Sequence, residues 1–352
     1  MNTYAGVIEG FYGIPLWDRE SRLSYPAWLR EHGFSFYIYA PKNDVFLRKQ
    51  WDDDWPVSER RLLGEFREEC RINHIDFGIG FSPVIRDGSE ARKALAVRKA
   101  GEIGSFLRPD IFAFLADDIR FENRDSLAAD QLGLIKSMRD EVHSERFIFC
   151  PTYYSFDPIL GKLFGAVPED YFSVLSEAPE CIDMFWTGAR VCSDNYSLDD
   201  VDSASKALGR KPFIWDNYPV NDGKSRADRL LLRPYECRDR RINGRISGYA
   251  VNPMREAHLS KLVLCTLPFA LAEEMLSADE WKRLIAEEAG SGNADFIARN
   301  IGLLQGAGLG RLSDGDRDRL KAELARISPD KFSAEISAFL DGAYRFNSEC
   351  LT

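Results

Sequence analysis

Short apolar runs alternate with longer amphipathic stretches almost from end to end of this chain. Eight such runs are rich in large hydrophobes and too short for helices, so they read as buried strands. They are Ala5 to Glu9, Ser35 to Ala40, Asp76 to Phe81, Ile111 to Ala116, Phe147 to Cys150, Ile182 to Trp186, Pro212 to Trp215 and Ser247 to Val251. Between them, Leu62, Leu63, Phe66 and Cys70 recur at helical spacing, and a second helix is expected from Ser89 to Phe106. Asp125 reads as the N-cap of a third, with Leu127, Leu134, Ile135 and Met138 turned inward. The segment from Asp222 to Arg245 keeps no regular period and reads as a long loop.

About eight strand-then-helix units in about 270 residues have the rhythm of a (β/α)8 TIM barrel. The rival is a doubly wound open sheet, which would often carry a Gly-rich phosphate turn after its first strand. Gly10-Phe11-Tyr12-Gly13 lacks that spacing. The barrel is expected to occupy residues 1–274 and to close with a helix from Ala257 to Glu273. Residues 275–352 read as a helical C-terminal extension, opening on the capping box Ser277-Ala278-Asp279-Glu280 before Trp281. A break is expected at Gly290 to Asn293, then further helices through Phe296, Leu303, Leu320, Ile327, Phe339 and Phe346. This extension is small for an independent domain, so it should pack on the barrel or join two copies as a homodimer.

Charge and cysteine usage narrow the class. The net charge is −10, with Lys and Arg dispersed among acids, which argues against a nucleic-acid partner. The run Asp52-Asp53-Asp54 between Trp51 and Trp55 reads as a solvated loop, and the 7 cysteines show no paired metal-ligand spacing. No secretory leader opens the chain and no apolar stretch would span a bilayer. A reduced, cytoplasmic protein with no membrane partner is expected. His32, His74, His143 and His258 suggest no catalytic arrangement.

In a barrel of this kind the residue just after each strand is the informative one. Those positions hold Glu9-Gly10, Lys42, Asp117-Asp118, Tyr154, Thr187, Asn217 with Asp222, and Asn252. Carboxylates, amides and hydroxyls of this kind suit a neutral polyhydroxylated ligand. A polyanion would find only Lys42 and Arg190. Trp186, Trp215, Tyr218 and Phe11 offer flat apolar faces for sugar rings, or pack the core.

Three readings compete for Asp117 and Asp118. They are a solvated turn, a magnesium site to which Glu9 and Asp222 contribute, or acid/base glycoside chemistry. At an effective dielectric of ~20 and a separation of ~6 Å, two carboxylates repel by about 3 kcal/mol. That is about two pK units, enough for one to stay protonated while its neighbour ionises. Adjacent residues rarely straddle a bond as the usual two-carboxylate scheme requires. Attack by the sugar's own 2-acetamido oxygen removes that difficulty.

Gly6-Val7-Ile8-Glu9-Gly10-Phe11-Tyr12-Gly13, followed by Pro15 and Trp17, resembles the opening signature of glycoside hydrolase family 84. Tyr37-Ile38-Tyr39-Ala40-Pro41-Lys42, Asp117-Asp118-Ile119, Phe149-Cys150-Pro151-Thr152 and Trp186-Thr187-Gly188 are similar to its later motifs. Trp215-Asp216-Asn217-Tyr218-Pro219-Val220-Asn221-Asp222 and Asn252-Pro253-Met254 continue the series in family order. The resemblance runs from Gly6 to about Lys261. It implies a retaining exo-β-N-acetylglucosaminidase of the O-GlcNAcase type, without metal or cofactor, working through an oxazoline. Its substrate would be a β-N-acetylglucosaminide or an O-GlcNAc-modified protein or peptide. Asp117 would orient the acetamido group, and Asp118 would act as acid and base. Gly10, Lys42, Asn217, Asp222 and Asn252 would bond the sugar. Tyr154 would hold the acetamido group, Cys150 and Thr187 would receive its methyl, and Trp215 would form a wall. Asn43 departs from the acid the family often has there. The alternative of another class is a non-catalytic barrel that only binds N-acetylglucosamine.

Overall fold

Eight parallel strands hydrogen-bond in chain order and the last returns to the first, so the sheet has no edge. They are β1 (Ala5–Glu9), β2 (Phe36–Tyr39), β3 (Asp76–Phe81), β4 (Ile111–Leu115), β5 (Arg146–Cys150), β6 (Ile182–Trp186), β7 (Pro212–Asp216) and β8 (Gly248–Val251). Closure is visible at Val7, which pairs with Tyr37 on one side and Val251 on the other. The computed structural model describes residues 3–13, 16–85, 88–121, 124–272, 274–344 and 346. Pro15 and Glu273, named above, and Cys350, one of the 7 cysteines, lie outside them.

The expected fold class is therefore found, and its core has a simple origin. Strands buried on both faces show no polar alternation, and β4 and β5 contribute Phe112, Phe114, Ile148 and Phe149 at essentially zero exposure. Helices cover the outside. The helix Glu90–Leu107 starts where Ser89 accepts from the backbone N–H of Arg92, and it ends on Arg108 in the left-handed region. The helix Val57–Ile72 buries Leu63, Phe66 and Cys70.

Several local expectations need correction. Leu62 is exposed rather than inward, because the burial stripe of its helix runs through Leu63, Phe66 and Cys70. The helix begun at Asp125 starts one residue later, with Ser126 as N-cap and no capping side chain. The barrel's closing helix is two pieces, Ala257–Leu264 and Leu267–Leu271, parted where Pro268 enters the first turn of the second. The break near Gly290 is confined to that residue, whose φ of 80° interrupts Ala278–Ile301. Phe346 stands outside any helix. The loop expected between Asp222 and Arg245 is irregular apart from a single bridge between Arg238 and Tyr196 and a 3-10 turn at Arg240–Gly244.

The acid run at Asp52, Asp53 and Asp54 is exposed, and two of its members hold Arg92 and Lys99. The capping box at Ser277 and Glu280 is present. Among the described cysteines none forms a disulfide, and no helix among the described residues is long and apolar enough to cross a membrane.

The helices after the barrel pack on it and share its core through Trp281, Ile285, Phe296, Ile297 and Phe339. Polar ties fix the contact. Glu288 accepts from Trp28 (2.8 Å) and pairs with His32 (2.7 Å). Gln305 accepts the backbone N–H groups of Leu232 and Arg233. Glu335, on the helix Lys331–Leu340, accepts from the backbone of His258 (2.9 Å) and Leu259 (2.8 Å), capping the first turn of Ala257–Leu264.

Burial pushes the Glu335 carboxyl up from 4.5 to about 8, with Glu256 adding in the same direction. A group that holds its proton more tightly when folded stabilises at low pH, and that stabilisation is lost as pH rises through its folded value. The thermal midpoint should therefore fall between about pH 5 and about pH 8, and Glu335→Gln should flatten the fall. Melting curves across that range check this. An equal slope in both proteins would assign the effect elsewhere.

Candidate active site

At the carboxyl ends of the strands, two further bonds continue the ladder and a third ties the loops beyond it. Ala116 N–H reaches the Cys150 carbonyl (2.9 Å), Asn252 N–H that of Asp216 (2.9 Å), and Thr187 N–H that of Tyr154 (3.0 Å). These bonds hold the residues just past the strands in register with the barrel. Below Asp117, a buried polar chain links Tyr171, Gln131 and Thr152, and ends on the carbonyl of Ala116. The backbone that carries the aspartates is thus fixed from beneath.

A cavity of about 270 Å³ opens over this end of the barrel. Asp117, Asp118, Gly10, Lys42, Cys150 and Tyr154 all line it, as do Thr187, Trp215, Asn217, Asp222 and Asn252. The eleven residues expected from sequence come from the ends of seven different strands or the loops that follow them, and the fold brings all of them together. Trp215 is the only one of the four suggested aromatics on the cavity. Trp186 packs on Phe156 and Phe172, Tyr218 on Tyr235, and Phe11 on Trp17. Glu9 is absent from it as well. It turns to the helical layer, where Arg22 holds both its oxygens and Tyr37 donates at 2.6 Å.

The two aspartates have different surroundings. Lys42 Nζ donates to Oδ2 of Asp117 in a buried ion pair, while Oδ1 of Asp117 is buried with no partner. A buried carboxylate oxygen left without a donor is costly, so this atom marks a place where a ligand N–H would be welcome. Asp118 receives hydroxyls on each side, Tyr154 on Oδ1 (3.2 Å) and Tyr12 on Oδ2 (3.0 Å). Burial pushes its carboxyl up, and the charge of Asp117 adds to this. Lys42, Arg48 and the Tyr12 hydrogen bond oppose the shift. Asp118 also sits at a φ of 57°, in the left-handed region.

Around the pair the walls are rigid. Asn252 Oδ1 accepts from Gly10 N–H (3.2 Å), and Asn252 Nδ2 and Trp215 Nε1 both donate to Asn217 Oδ1 (3.0 Å each). Lys42 Nζ lies 5.7 Å from the centre of the Trp215 ring. Asp222 accepts Tyr12 N–H (2.8 Å), and burial raises its carboxyl. Burial likewise pushes the Cys150 thiol up, leaving it a neutral apolar lining group. A side chain at Gly10 would bring its Cβ within 2.6 Å of the Trp215 ring, so only glycine lets the backbone pass the wall.

Sequence reasoning missed Tyr12 and Arg48. Tyr12 lies inside the opening motif, two residues after Gly10, and contacts Asp118 and Asp222 together. Arg48 donates to the Asp118 carbonyl (3.1 Å) and sits 5.5 Å from the Tyr12 ring centre. Its position inside a loop after β2 gave no local signal. Ile159, Leu163, Val191, Val220 and Phe346 on the cavity were also unassigned. Among the described residues no group of three or more His, Cys, Asp or Glu is spaced to hold a metal ion.

Comparison with known proteins gives the same direction. The sequence profile of the β-N-acetylglucosaminidase family matches residues 5–299. The chain is 30% identical over 278 residues to protein O-GlcNAcase of Rattus norvegicus, an alignment covering 74% of this chain and 29% of that protein. Against protein O-GlcNAcase of Mus musculus it is 29% identical over 276 residues, again 74% and 29% of the two lengths. It thus spans well under half the length of the curated relatives it matches. A mutant O-GlcNAc hydrolase from Thermobaculum terrenum superposes with a TM-score of 0.77 at 25% identity, covering 96% of this chain and 81% of that one. The structure of CpGH84B gives 0.71 at 25% identity, covering 99% and 64%. With the profile spanning the whole barrel, this chain belongs to the β-N-acetylglucosaminidase family, the glycoside hydrolase family 84 that its motifs resemble.

Proposed function

We propose that this protein is a retaining exo-β-N-acetylglucosaminidase that cleaves terminal β-linked N-acetylglucosamine, including that on serine or threonine of proteins. The carrying observation is the asymmetry of the aspartates. One is paired with Lys42 and keeps a buried oxygen lacking a donor, and the other has its carboxyl raised by burial and by its neighbour.

The chemistry follows from that asymmetry. Asp117 Oδ1 accepts the acetamido N–H and turns the acetamido oxygen toward the anomeric carbon. A bond forms between that oxygen and the anomeric carbon as the bond to the aglycone oxygen breaks. Asp118 gives its proton to the departing oxygen. The resulting cationic oxazoline lies against the charge of Asp117. Asp118, now a carboxylate, takes a proton from water, whose oxygen attacks the anomeric carbon and reopens the ring. Two displacements at one centre retain its configuration.

The other residues of the cavity bind and orient. Asn217, Asp222, Asn252, Lys42 and the Gly10 backbone meet the sugar hydroxyls, and Tyr154 holds the acetamido group. Cys150 and Thr187 receive the acetamido methyl, and Trp215 forms the apolar wall.

Purified protein should hydrolyse an aryl β-N-acetylglucosaminide, and Asp118→Asn should lower kcat about 10²- to 10⁴-fold. No turnover by the unaltered protein between about pH 4 and about pH 8 would overturn the assignment. Replacing the substrate's acetyl by trifluoroacetyl should slow cleavage strongly, since it weakens the attacking oxygen. An unchanged rate excludes acetamido participation.

The pH profile offers a separate check. Activity should fall as pH rises through the raised value of Asp118, because the acid form donates the proton. The Tyr12 hydroxyl stabilises the ionised form, so Tyr12→Phe should move this alkaline limb of kcat/KM upward. A limb that stays in place would show that another group sets it. Gly10→Ala should displace the Trp215 wall and reduce kcat/KM by roughly ten-fold or more, with the fold retained by circular dichroism.

A further inference from the structure

A guanidinium loses much of its hydration on burial, yet Arg48, in the loop after β2, is only 1% exposed. Its backbone is fixed on two sides. The Arg48 N–H donates to the Val45 carbonyl, and the Arg48 carbonyl accepts from Val84 N–H, at 3.2 Å each. The preceding carbonyl, of Leu47, accepts from Ser82 N–H (3.0 Å), which ties the loop after β2 to the one after β3.

The side chain then reaches further. Its Nη1 donates to Ser82 Oγ (3.3 Å), and its Nη2 donates to the backbone carbonyl of Asp118 (3.1 Å). The guanidinium lies 5.5 Å from the centre of the Tyr12 ring, and the Tyr12 hydroxyl donates to Oδ2 of Asp118 (3.0 Å). Asp118 is thus held at its backbone by Arg48 and at its carboxyl by Tyr12. Loops after four consecutive strands, β1 to β4, meet at this one arginine. Its planar fork presents donors at fixed angles, which a lysine ammonium does not.

The point of attachment matters because Asp118 has a φ of 57°. A residue other than glycine keeps a left-handed backbone only where its surroundings over-determine it. The bond from a buried cation is one such constraint, since an extended path at Asp118 would swing the carbonyl off its donor. Arg48 does not line the cavity, so its effect on the reaction passes through the groups it holds. Resting on the hydrolase reading above, we propose that Arg48 is a positioning residue for the proton donor. Its hold on the Asp118 carbonyl keeps the bend, and the bend keeps both carboxyls on one cavity. Arg48 therefore serves the step in which the aglycone oxygen takes up its proton, rather than sugar binding or attack by the acetamido oxygen.

The test compares kcat/KM for phenyl and dinitrophenyl β-N-acetylglucosaminides, since kcat/KM reports the steps through aglycone departure. Phenolate is a poor leaving group that needs the proton, whereas dinitrophenolate departs as a stable anion. Arg48→Met should lower the phenyl value by roughly 10²-fold and the dinitrophenyl value by no more than about three-fold. Arg48→Lys keeps the cation without the fork and should lose about ten-fold on the phenyl substrate alone. Beside Asp118→Asn, Arg48→Met should lower the phenyl value by no more than about two-fold, since the group it positions is already gone. A merely structural role would lower both substrates alike in either background. No loss, equal losses on the two substrates, or a full loss that persists beside Asp118→Asn overturns the positioning role while the hydrolase reading stands. Arg48→Lys carries the comparison where Arg48→Met does not fold. If the unaltered protein cleaves neither substrate, both readings fall.

Discussion

The buried pair of Lys42 and Asp117 organises the site. Without the ammonium, two neighbouring carboxylates would repel each other in one desolvated cavity, and Asp117 would lose the cation that sets it apart from Asp118. With it, Asp117 is held in an ion pair, while the carboxyl of Asp118 is raised by burial and by its neighbour. Removing one partner of such a pair would strand a buried charge, which costs far more than the pair itself contributes. Lys42 also leans toward the Trp215 ring, so the same side chain relates the charged floor to the apolar wall.

The closed sheet makes this arrangement possible. Lys42 follows β2, the aspartates follow β4, and Trp215 is the penultimate residue of β7, so their relative positions depend on the register of strands far apart in sequence. Register in a closed barrel cannot slip locally, because every strand is paired on both sides. The post-barrel helices then brace the last barrel helix through a carboxylate at its first turn, and carry an aromatic ring back to the cavity.

Much of this was legible in the chain, for physical reasons. Parallel strands buried on both faces must be continuous hydrophobic runs, so all eight were visible, and barrel geometry made the residue after each strand worth reading. What failed was local detail. Asp125 looked like a cap, yet Ser126 occupies the position, since one residue of offset is invisible to periodicity. Glu9 stood at a strand end like the others, but pairing with Arg22 drew it to the outer layer. Tyr12 and Phe346 carry no pattern of their own. Their relation to Asp118 and to the cavity depends on loop paths and long-range packing.

Consecutive residues in extended chain project to opposite sides, so a regular continuation of β4 would have sent one aspartate inward and its neighbour away. The left-handed backbone at Asp118 interrupts that alternation, and both side chains line the same cavity. Aspartate and asparagine tolerate this conformation better than most residues, because a short polar side chain can satisfy nearby backbone groups. The kink therefore narrows what position 118 can hold before any chemistry is considered. An amide there keeps the bend, whereas a β-branched aliphatic would be strained in it and would press the chain toward an extended path that turns the two positions apart.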